Sequence, residues 1–107
     1  MADRLQITPR HRRILEALIR AHLPGVEVWA YGSRVNGRGH DGSDLDLVLR
    51  PSDLRRLPPD QLRGFEDAVR ESTIPFLVQV HDWARLPERF HHEIERDYVV
   101  MSDGPAP

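Results

Sequence analysis

The sequence predicts an α/β fold, a small mixed β-sheet with helices packed against it, in the order α-β-β-α-β-α. Three observations lead to this prediction. Two extended apolar runs, Val26–Tyr31 and Asp44–Arg50, are separated by a glycine-rich loop. A third run, Phe76–His81, follows the breaker Pro75. Before, between and after these runs, apolar residues recur at helical spacing. Strands and helices of this kind bury their apolar sides against one another in layers.

The first helix is expected to begin at Thr8 and Pro9, because threonine is a favoured N-cap and proline suits the first helical position. Pro24-Gly25 ends this helix. Its apolar residues at helical spacing are Ile14, Leu15, Leu18 and Ile19. Residues 1–7, which precede the helix, are expected to form a flexible lead-in.

The second helix is expected over Asp60–Glu71, because Pro58-Pro59 cannot lie in a helix interior. One face of this segment is apolar and carries Leu62, Phe65, Ala68 and Val69. The preceding segment, Ser52–Leu57, is expected to form a separate turn of helix with Ser52 as its cap.

The last helix is expected after Leu86-Pro87, with Phe90 and Ile94 on its inner side. A short apolar tail follows, formed by Val99, Val100 and Met101. Residues 102–107 are expected to be flexible. The sequence shows no repeat and no second domain, so residues 1–107 are expected to form a single domain.

The composition excludes several classes of function. A chain of 107 residues with 39% hydrophobic residues can bury a modest core. Because it contains no cysteine, disulfides, thiolate zinc sites and thiol nucleophiles are excluded. The formal net charge of -2 gives no overall electrostatic signal for nucleic acid. No apolar run approaches the ~18 residues of a membrane span, and there is no signal-peptide core, so a soluble cytoplasmic protein is expected.

The second strand carries two acids on one face. Because side chains alternate along a strand, Asp44 and Asp46 point to the same side. The opposite side suits a hydrophobic core and carries Leu45, Leu47 and Leu49. Neighbouring carboxylates repel each other and are costly to bury. Mg²⁺ removes this conflict, since it prefers such oxygen ligands and takes others from water and phosphate. An acidic strand edge facing water is the alternative.

The turn at Gly32-Ser33 supplies the second half of such a site. Glycine lets the backbone approach a ligand closely and adopt positive φ. Backbone N–H groups in a short helical turn after Ser33, together with its hydroxyl, can donate to a phosphate. Arg34 could clamp phosphates or simply solubilise the loop, and Ser43 could orient a carboxylate or cap the strand. Phosphoryl and nucleotidyl transfer require a phosphate cradle beside an acid pair.

Gly32-Ser33, ten intervening residues and Asp44-x-Asp46 together resemble the signature of the nucleotidyltransferase superfamily related to DNA polymerase β. The short chain resembles the minimal nucleotidyltransferase branch, whose members are often antitoxins paired with a HEPN-family ribonuclease toxin. The element order around the signature is similar along most of the chain. The resemblance therefore implies a nucleotidyltransferase-like α-β-β-α-β-α core.

The resemblance implies a Mg²⁺-dependent enzyme that transfers AMP from ATP to a tyrosine of a cognate HEPN toxin and so silences it. In such an enzyme Asp44 and Asp46 are the catalytic residues and the metal ligands. The nucleotide-binding residues are Gly32, Ser33, Arg34 and Ser43. The implied partners are ATP and the toxin, and both homo- and hetero-oligomers are compatible with the sequence.

Gln79 departs from the pattern of the family. The resemblance implies a third carboxylate at this position, which would help to hold the metal and to deprotonate the acceptor hydroxyl. Glutamine cannot act as a base. Asp82 lies three residues further on, so alternation directs it to the opposite face unless a bulge at His81 turns it inward. His81 shares the face of Gln79 and is a candidate substitute base, although a strand-end histidine without that role is the simpler interpretation.

Two other functions stay open from the sequence. The first is a binding module, a catalytically weak or inactive antitoxin that acts by binding its toxin, and Gln79 favours this alternative. The second is a transferase acting on RNA or on a small molecule such as an aminoglycoside. It ranks last, because the chain has no second domain to hold such an acceptor and no basic stripe.

Overall fold

A computed structural model describes residues 5–40 and 42–103 of the chain, and it has the predicted α/β architecture. Three helices lie on a four-stranded sheet: α1 Pro9–His22, α2 Pro59–Glu71 and α3 Glu88–Arg96. The strands are β1 Val26–Tyr31, β2 Leu45–Pro51, β3 Val78–Asp82 and β4 Tyr98–Asp103. A single turn of 3₁₀ helix, Trp83–Arg85, connects β3 to the last helix.

The sheet is mixed, as predicted, with the strand order β3-β2-β1-β4. Strand β1 runs antiparallel to both β2 and β4, whereas β2 and β3 are parallel. The parallel pair is connected through α2, which crosses over one face of the sheet. This order places β3 and β4 at the two edges and brings the ends of the glycine-rich loop onto adjacent central strands.

Helices α1 and α2 cover one face of the sheet and form the main core. The buried strand residues on this face alternate along β1 and β2: Val26, Val28, Ala30, Leu45, Leu47 and Leu49. They pack against Leu15 and Ile19 of α1 and Phe65 of α2. The predicted alternation of β2 is confirmed, because its leucines face this core and Asp46 points to the other side.

Helix α3 and the 3₁₀ turn cover part of the opposite face. Trp29, Val48, Trp83 and Ile94 form a second buried cluster there. The Arg50 guanidinium lies 4.0 Å from the ring centroid of Trp29 and 4.5 Å from that of Trp83, and it pairs with Glu27. Cation–π contacts of this kind stabilise a charge that is partly removed from water. The rest of this face is open, and it carries Asp46.

The C-terminal segment corrects one prediction from the sequence. Residues 99–101, expected to form an apolar tail, belong to β4, which pairs along the length of β1. Two of the residues expected to be flexible, Ser102 and Asp103, extend this strand. Residues 104–107 lie outside the described part of the chain.

The N-terminal lead-in contacts the core where it is described. Leu5 is buried, and the Gln6 N–H donates to the Arg34 carbonyl at 2.7 Å. Residues 1–4 lie outside the described part of the chain. The predicted start of α1 is confirmed, since the Thr8 hydroxyl accepts a hydrogen bond from the His11 N–H at 3.2 Å.

Two short segments differ from the sequence-based expectation. Residues 52–57 form a turn followed by extended chain in place of a helical turn, and Leu54 there has a φ of 55°. The third strand begins at Val78, two residues later than expected, and continues to Asp82. Among the described residues, no helix combines the length and apolarity that spanning a membrane requires.

Candidate active site

Asp44 and Asp46 lie together at the start of β2, on the open face of the sheet. The backbone of Asp46 pairs with Tyr31 of β1 on one side and with Gln79 of β3 on the other. Asp44 precedes the strand, and its Oδ2 accepts a hydrogen bond from Nε2 of Gln79 at 2.9 Å. The two acids are close enough for the charge of Asp44 to raise the pKa of Asp46. The structure therefore brings the predicted acid pair onto one face.

The surroundings of Asp46 disfavour its charged form. Partial burial raises the pKa of its carboxyl above the ordinary value of 3.8, and the neighbouring Asp44 adds to this effect. His81 acts in the opposite direction. Burial and the charge of Asp46 also raise the pKa of Tyr31 to about 12, so this phenol is neutral at physiological pH. A bound cation would relieve the repulsion between the two carboxylates.

Gly32 lies directly against the acid pair. Its φ is +86°, a conformation that side chains other than glycine rarely adopt. A Cβ added to Gly32 would overlap Oδ2 of Asp46 and would lie 3.3 Å from its Cγ. Glycine is therefore needed at this position for two reasons. It permits the positive φ, and it lets the end of β1 approach the Asp46 carboxylate closely.

The chain after Gly32 forms a short turn closed by an i→i+4 hydrogen bond, in agreement with the helical turn expected after Ser33. The N–H groups of Val35 and Asn36 both donate to the Gly32 carbonyl at 3.0 Å, and residues 33–37 form consecutive turns that end at Gly37, whose φ is +84°. Within the part of the chain that the structure describes, the Ser33 hydroxyl makes no hydrogen bond and is partly exposed. It can therefore donate to a bound ligand.

Gln79 occupies the site, where the family pattern implies a third acid. It is the register partner of Asp46, and its amide nitrogen donates to Asp44. The Gln79 side chain thus binds Asp44 across the β2–β3 pair without adding a third negative charge, while its backbone lies beside that of Asp46. Its amide oxygen is then directed away from the Asp44 carboxylate, where it can accept a hydrogen bond or contact a cation.

The two polar residues after Gln79 separate as alternation predicts. His81 stays on the face of Gln79, and its influence on the pKa of Asp46 shows that it is near the acid pair. Asp82 is 2% exposed and points to the other face, where Oδ2 accepts a hydrogen bond from the Leu57 N–H at 2.9 Å. No bulge interrupts the β2–β3 register, so Asp82 lies outside the site.

Arg34 has a structural position that the sequence did not indicate. The residue is 4% exposed, and Nε donates to the Ser43 carbonyl at 2.8 Å while Nη1 donates to the Gln6 carbonyl at 2.7 Å. The guanidinium also lies 4.1 Å from the ring centroid of Phe76. The expectation of an exposed phosphate clamp or a solubilising loop residue is therefore corrected. Arg34 ties the glycine-rich loop to the body of the protein.

Ser43 closes the same loop from its other end. Its hydroxyl accepts a hydrogen bond from the His40 N–H at 2.9 Å, its own N–H donates to the His40 carbonyl at 2.9 Å, and its carbonyl accepts from Arg34. The residue that follows is Asp44. These bonds fix the chain just before the first aspartate.

Replacing Arg34 with lysine is expected to destabilise the protein by about 2 kcal/mol, because lysine cannot reproduce two directed, charge-assisted hydrogen bonds and the contact with Phe76. Chemical denaturation would measure the change. Arg38→Lys is the matched control, since Arg38 lies on the same loop and is exposed. Equal midpoints for the two variants would show that the buried contacts of Arg34 contribute little.

Tyr31 is a site residue that the sequence analysis missed. It lies immediately before Gly32, and it is the β1 neighbour of Asp46. Strand alternation would have identified it, because Trp29 and Tyr31 occupy the same face of β1 and Tyr31 is the one nearer the turn. Its phenol forms the wall of the site on the side of β1.

The side-chain oxygens of the site suit a cation that takes its remaining ligands from a substrate. Among residues 5–40 and 42–103, no group of three or more histidine, cysteine, aspartate or glutamate side chains converges on one point. Two carboxylates, with the Gln79 amide beside them, leave most coordination positions to other oxygens. Mg²⁺ is commonly held in this way, by one or two carboxylates, waters and substrate phosphates.

Asp46→Asn is expected to raise the melting temperature of the metal-free protein by a few degrees at neutral pH. A carboxyl whose pKa is raised on folding stabilises the fold only while it is protonated, so its contribution is lost as the pH rises through the folded-state pKa. The advantage of asparagine should thus shrink as the pH falls toward the ordinary value of 3.8. Thermal unfolding across this pH range measures the difference in melting temperature between the variant and the wild type. A difference that does not change with pH would contradict the raised pKa of Asp46.

The sequence of this chain matches those of known proteins. A family model described as the central palm domain of mitochondrial-like poly(A) RNA polymerase matches residues 3–95. The sequence is also 35% identical over 100 residues to a probable protein adenylyltransferase MntA from Haemophilus influenzae, a match that covers 92% of this chain and 85% of that protein. The chain belongs to the minimal nucleotidyltransferases. The expectation of a minimal nucleotidyltransferase is confirmed at the level of the family.

The minimal nucleotidyltransferase is also similar to a solved structure, described as a crystal structure of the toxin-antitoxin with AMP-PNP. The TM-score is 0.71 at 15% sequence identity, and the match covers 86% of this chain and 73% of that one. At this identity the likeness establishes the fold. It agrees with the nucleotidyltransferase-like core that the sequence predicts.

Proposed function

We propose that the protein transfers AMP from ATP to a tyrosine hydroxyl of a cognate HEPN-family toxin in the cytoplasm, as the antitoxin of the pair. One observation carries this proposal. Asp46 lies against the Gly32 turn, and Asp44 is on the same face, so an acid pair and a backbone turn able to bind phosphate share one small space. Nucleotidyl transfer needs this arrangement.

Each group has a distinct task in the proposed reaction. The Ser33 hydroxyl and nearby backbone N–H groups bind the terminal phosphates, and the partly buried carboxylates of Asp44 and Asp46 would hold Mg²⁺. Bound there, Mg²⁺ would neutralise charge on the phosphates and stabilise the pyrophosphate as it leaves. Gln79 holds Asp44 in position through its amide.

The bond changes in the proposed reaction are those of an in-line displacement. The acceptor oxygen forms a bond to the α-phosphorus, the bond from that phosphorus to the pyrophosphate oxygen breaks, and the acceptor proton passes to solvent water. With glutamine at position 79, this chain lacks the third carboxylate that would take the proton there. The hydrogen bonds of Arg34 and Ser43 contribute by holding the nucleotide-binding turn beside the acid pair.

The similarity to known proteins supports this assignment. The Haemophilus influenzae relative is described as a probable protein adenylyltransferase, and the similar solved structure is a toxin–antitoxin assembly with an ATP analogue. Carried over to this chain, these descriptions favour ATP as donor and a partner protein as acceptor. The tyrosine, the HEPN partner and the Mg²⁺ dependence belong to the proposal.

Incubation with isotopically labelled ATP, Mg²⁺ and the purified product of the neighbouring gene tests the function. We expect the label to appear on a tyrosine of the partner, identified by mass spectrometry of both chains, and to disappear when Mg²⁺ is chelated. Label on neither chain would contradict the transfer reaction. Label on RNA added to the mixture, and not on protein, would favour the RNA-directed alternative.

A second candidate, supported by Gln79, is an antitoxin that acts by binding alone. A neutral amide in place of the third acid weakens the part of the site that would activate the acceptor hydroxyl. Calorimetry separates the two functions, because a binding module with a vestigial site would show no heat with ATP and Mg²⁺ while still binding its toxin. Transfer that appears only in a Gln79→Asp variant would support this second candidate.

A further inference from the structure

Strand β3 is an open edge that leads into the active site. It occupies one end of the strand order, and β2 is its single neighbour in the sheet. Gln79, the second residue of this strand, contacts Asp44. The other edge, β4, lies on the far side of β1 and carries a register shift opposite Val28 and Trp29. Irregularities of this kind protect an edge from pairing with another strand.

The backbone groups that β3 leaves unpaired can be assigned from its register. The Leu77 carbonyl accepts a hydrogen bond from the Leu45 N–H at 2.9 Å, so Leu77 faces β2. The N–H and C=O of one residue point to the same side of a strand, and those of the next residue point to the other side. The backbone groups of Val78 and Val80 are therefore directed outward, away from the sheet.

A groove runs along this edge. Its volume is about 400 Å³, and its floor is formed by every residue from 76 to 81, with α2 as the opposite wall. The wall contributes Val69 and Arg70. Leu77 is 61% exposed, the highest exposure among the large apolar side chains of the described residues. The floor contains no proline, no arginine and no acidic residue, whereas charged residues and proline usually protect natural edge strands.

We propose that an extended segment of the acceptor protein adds to the edge of β3 as a fifth strand and presents its hydroxyl across Gln79 to the acid pair. This inference rests on the proposed function and specifies how the acceptor is held. Main-chain hydrogen bonds to Val78 and Val80 supply affinity that is independent of sequence, and Leu77 supplies an apolar contact. The site thereby recognises an extended backbone with one suitably placed side chain.

The geometry selects the kind of acceptor residue. Neighbouring strands lie about 4.8 Å apart, so a residue on the added strand is separated from Asp46 by two strand spacings, about 10 Å. A serine or threonine hydroxyl remains close to its own backbone and cannot cross the strand of Gln79. Tyrosine carries its hydroxyl at the end of a long rigid ring, which reaches part of the way toward the acid pair and leaves space for the α-phosphate between them.

The size of the edge favours a transient acceptor over a second copy of this chain. Five residues of strand extend about 17 Å, and a contact along a single strand of this length buries much less area than the ~1,200–2,000 Å² of stable protein interfaces. An edge pairing alone is thus too small to maintain a homodimer. It is well suited to a substrate segment that must leave after modification.

Variants of the edge test the inference with the purified neighbouring gene product as the probe. Val80→Pro removes an outward N–H that is not bonded to β2. Val80→Ala shortens the side chain and keeps this N–H group. We expect binding of the partner, and AMP transfer to it, to weaken about tenfold more in Val80→Pro than in Val80→Ala. Leu77→Ser should also weaken binding, whereas Leu54→Ser, at an exposed leucine elsewhere, should not.

Amide hydrogen exchange measured by NMR gives a second readout that needs no variant to fold. In the free protein the N–H groups of Val78 and Val80 should exchange rapidly, and those of Gln79 and His81 slowly. Binding of the partner should slow the first pair strongly. A complex that leaves Val78 and Val80 in rapid exchange would overturn the docking while leaving the transfer reaction intact.

The remaining outcomes are also informative. Protection of these two amides that rises with protein concentration, in the absence of partner, would identify a second copy as the occupant and overturn the proposal. Protection by a partner that is never labelled would support the docking and remove the transfer function. If the wild-type chain binds no partner at all, both the docking and the proposed partner are wrong.

Discussion

Replacing both Asp44 and Asp46 with asparagine is expected to reduce AMP transfer from ATP at least about a thousandfold, to background. Asparagine keeps the shape of each side chain and removes its negative charge. The site would then lose the only two carboxylates that the described residues bring together on the open face beside Gly32. Single-turnover assays with labelled ATP would measure the loss.

The fold should survive this double substitution. Removing two carboxylates that repel each other does not disturb the leucine face of β2, so the variant should melt no lower than the wild type. A matched control is Asp60→Asn with Asp67→Asn, which changes the net charge equally on the exposed side of α2. Undiminished transfer in the Asp44 and Asp46 double variant would end the nucleotidyltransferase proposal for this site.

Gly32→Ala is expected to lower transfer about a hundredfold, since displacement of a catalytic group by about 1 Å has an effect of this size. The added Cβ would overlap the Asp46 carboxylate, which must then turn away from its position. The substitution should also cost about 1–2 kcal/mol of stability, because alanine is strained at a φ of +86°. Denaturation and transfer assays on the same preparation measure both effects.

Gly37→Ala separates the loss of stability from the loss of transfer. Gly37 has a similar φ of +84°, but a Cβ there would meet nothing within 4 Å. This variant should show the same loss of stability and nearly normal transfer. If both variants lost transfer equally, backbone strain in the loop would explain the defect, and the contact between Gly32 and Asp46 would not.

The position of the acid pair could be predicted because it depends on local rules. Alternation along β2 separates Asp46 from the leucine face, and the glycine at the end of β1 marks the turn that approaches it. Both features involve residues that are close in the sequence. The α/β class could be predicted for the same reason, since each helix and each of the first three strands has its own periodic pattern or breaker.

The parts that could not be predicted depend on distant contacts. Residues 98–103 become a strand because β1 offers an unpaired edge, and nothing in so short an apolar segment distinguishes a strand from a tail. Arg34 is buried because Gln6 and Phe76, far away in the sequence, come to surround it. Asp82 likewise receives its hydrogen bond from Leu57.

The cluster beneath α3 gives the protein a built-in optical reporter. Both tryptophans of the chain lie there, with ring centroids 5.5 Å apart in an edge-on arrangement, and each indole also stacks on another ring, Tyr98 or His91. Emission and near-ultraviolet dichroism will consequently be sensitive to whether α3 is seated on the sheet. The core beneath α1 and α2 contains no indole among its described members. Thermal unfolding followed by tryptophan fluorescence will therefore report on one side of the molecule, whereas unfolding followed by far-ultraviolet dichroism of the amides will report on both sides.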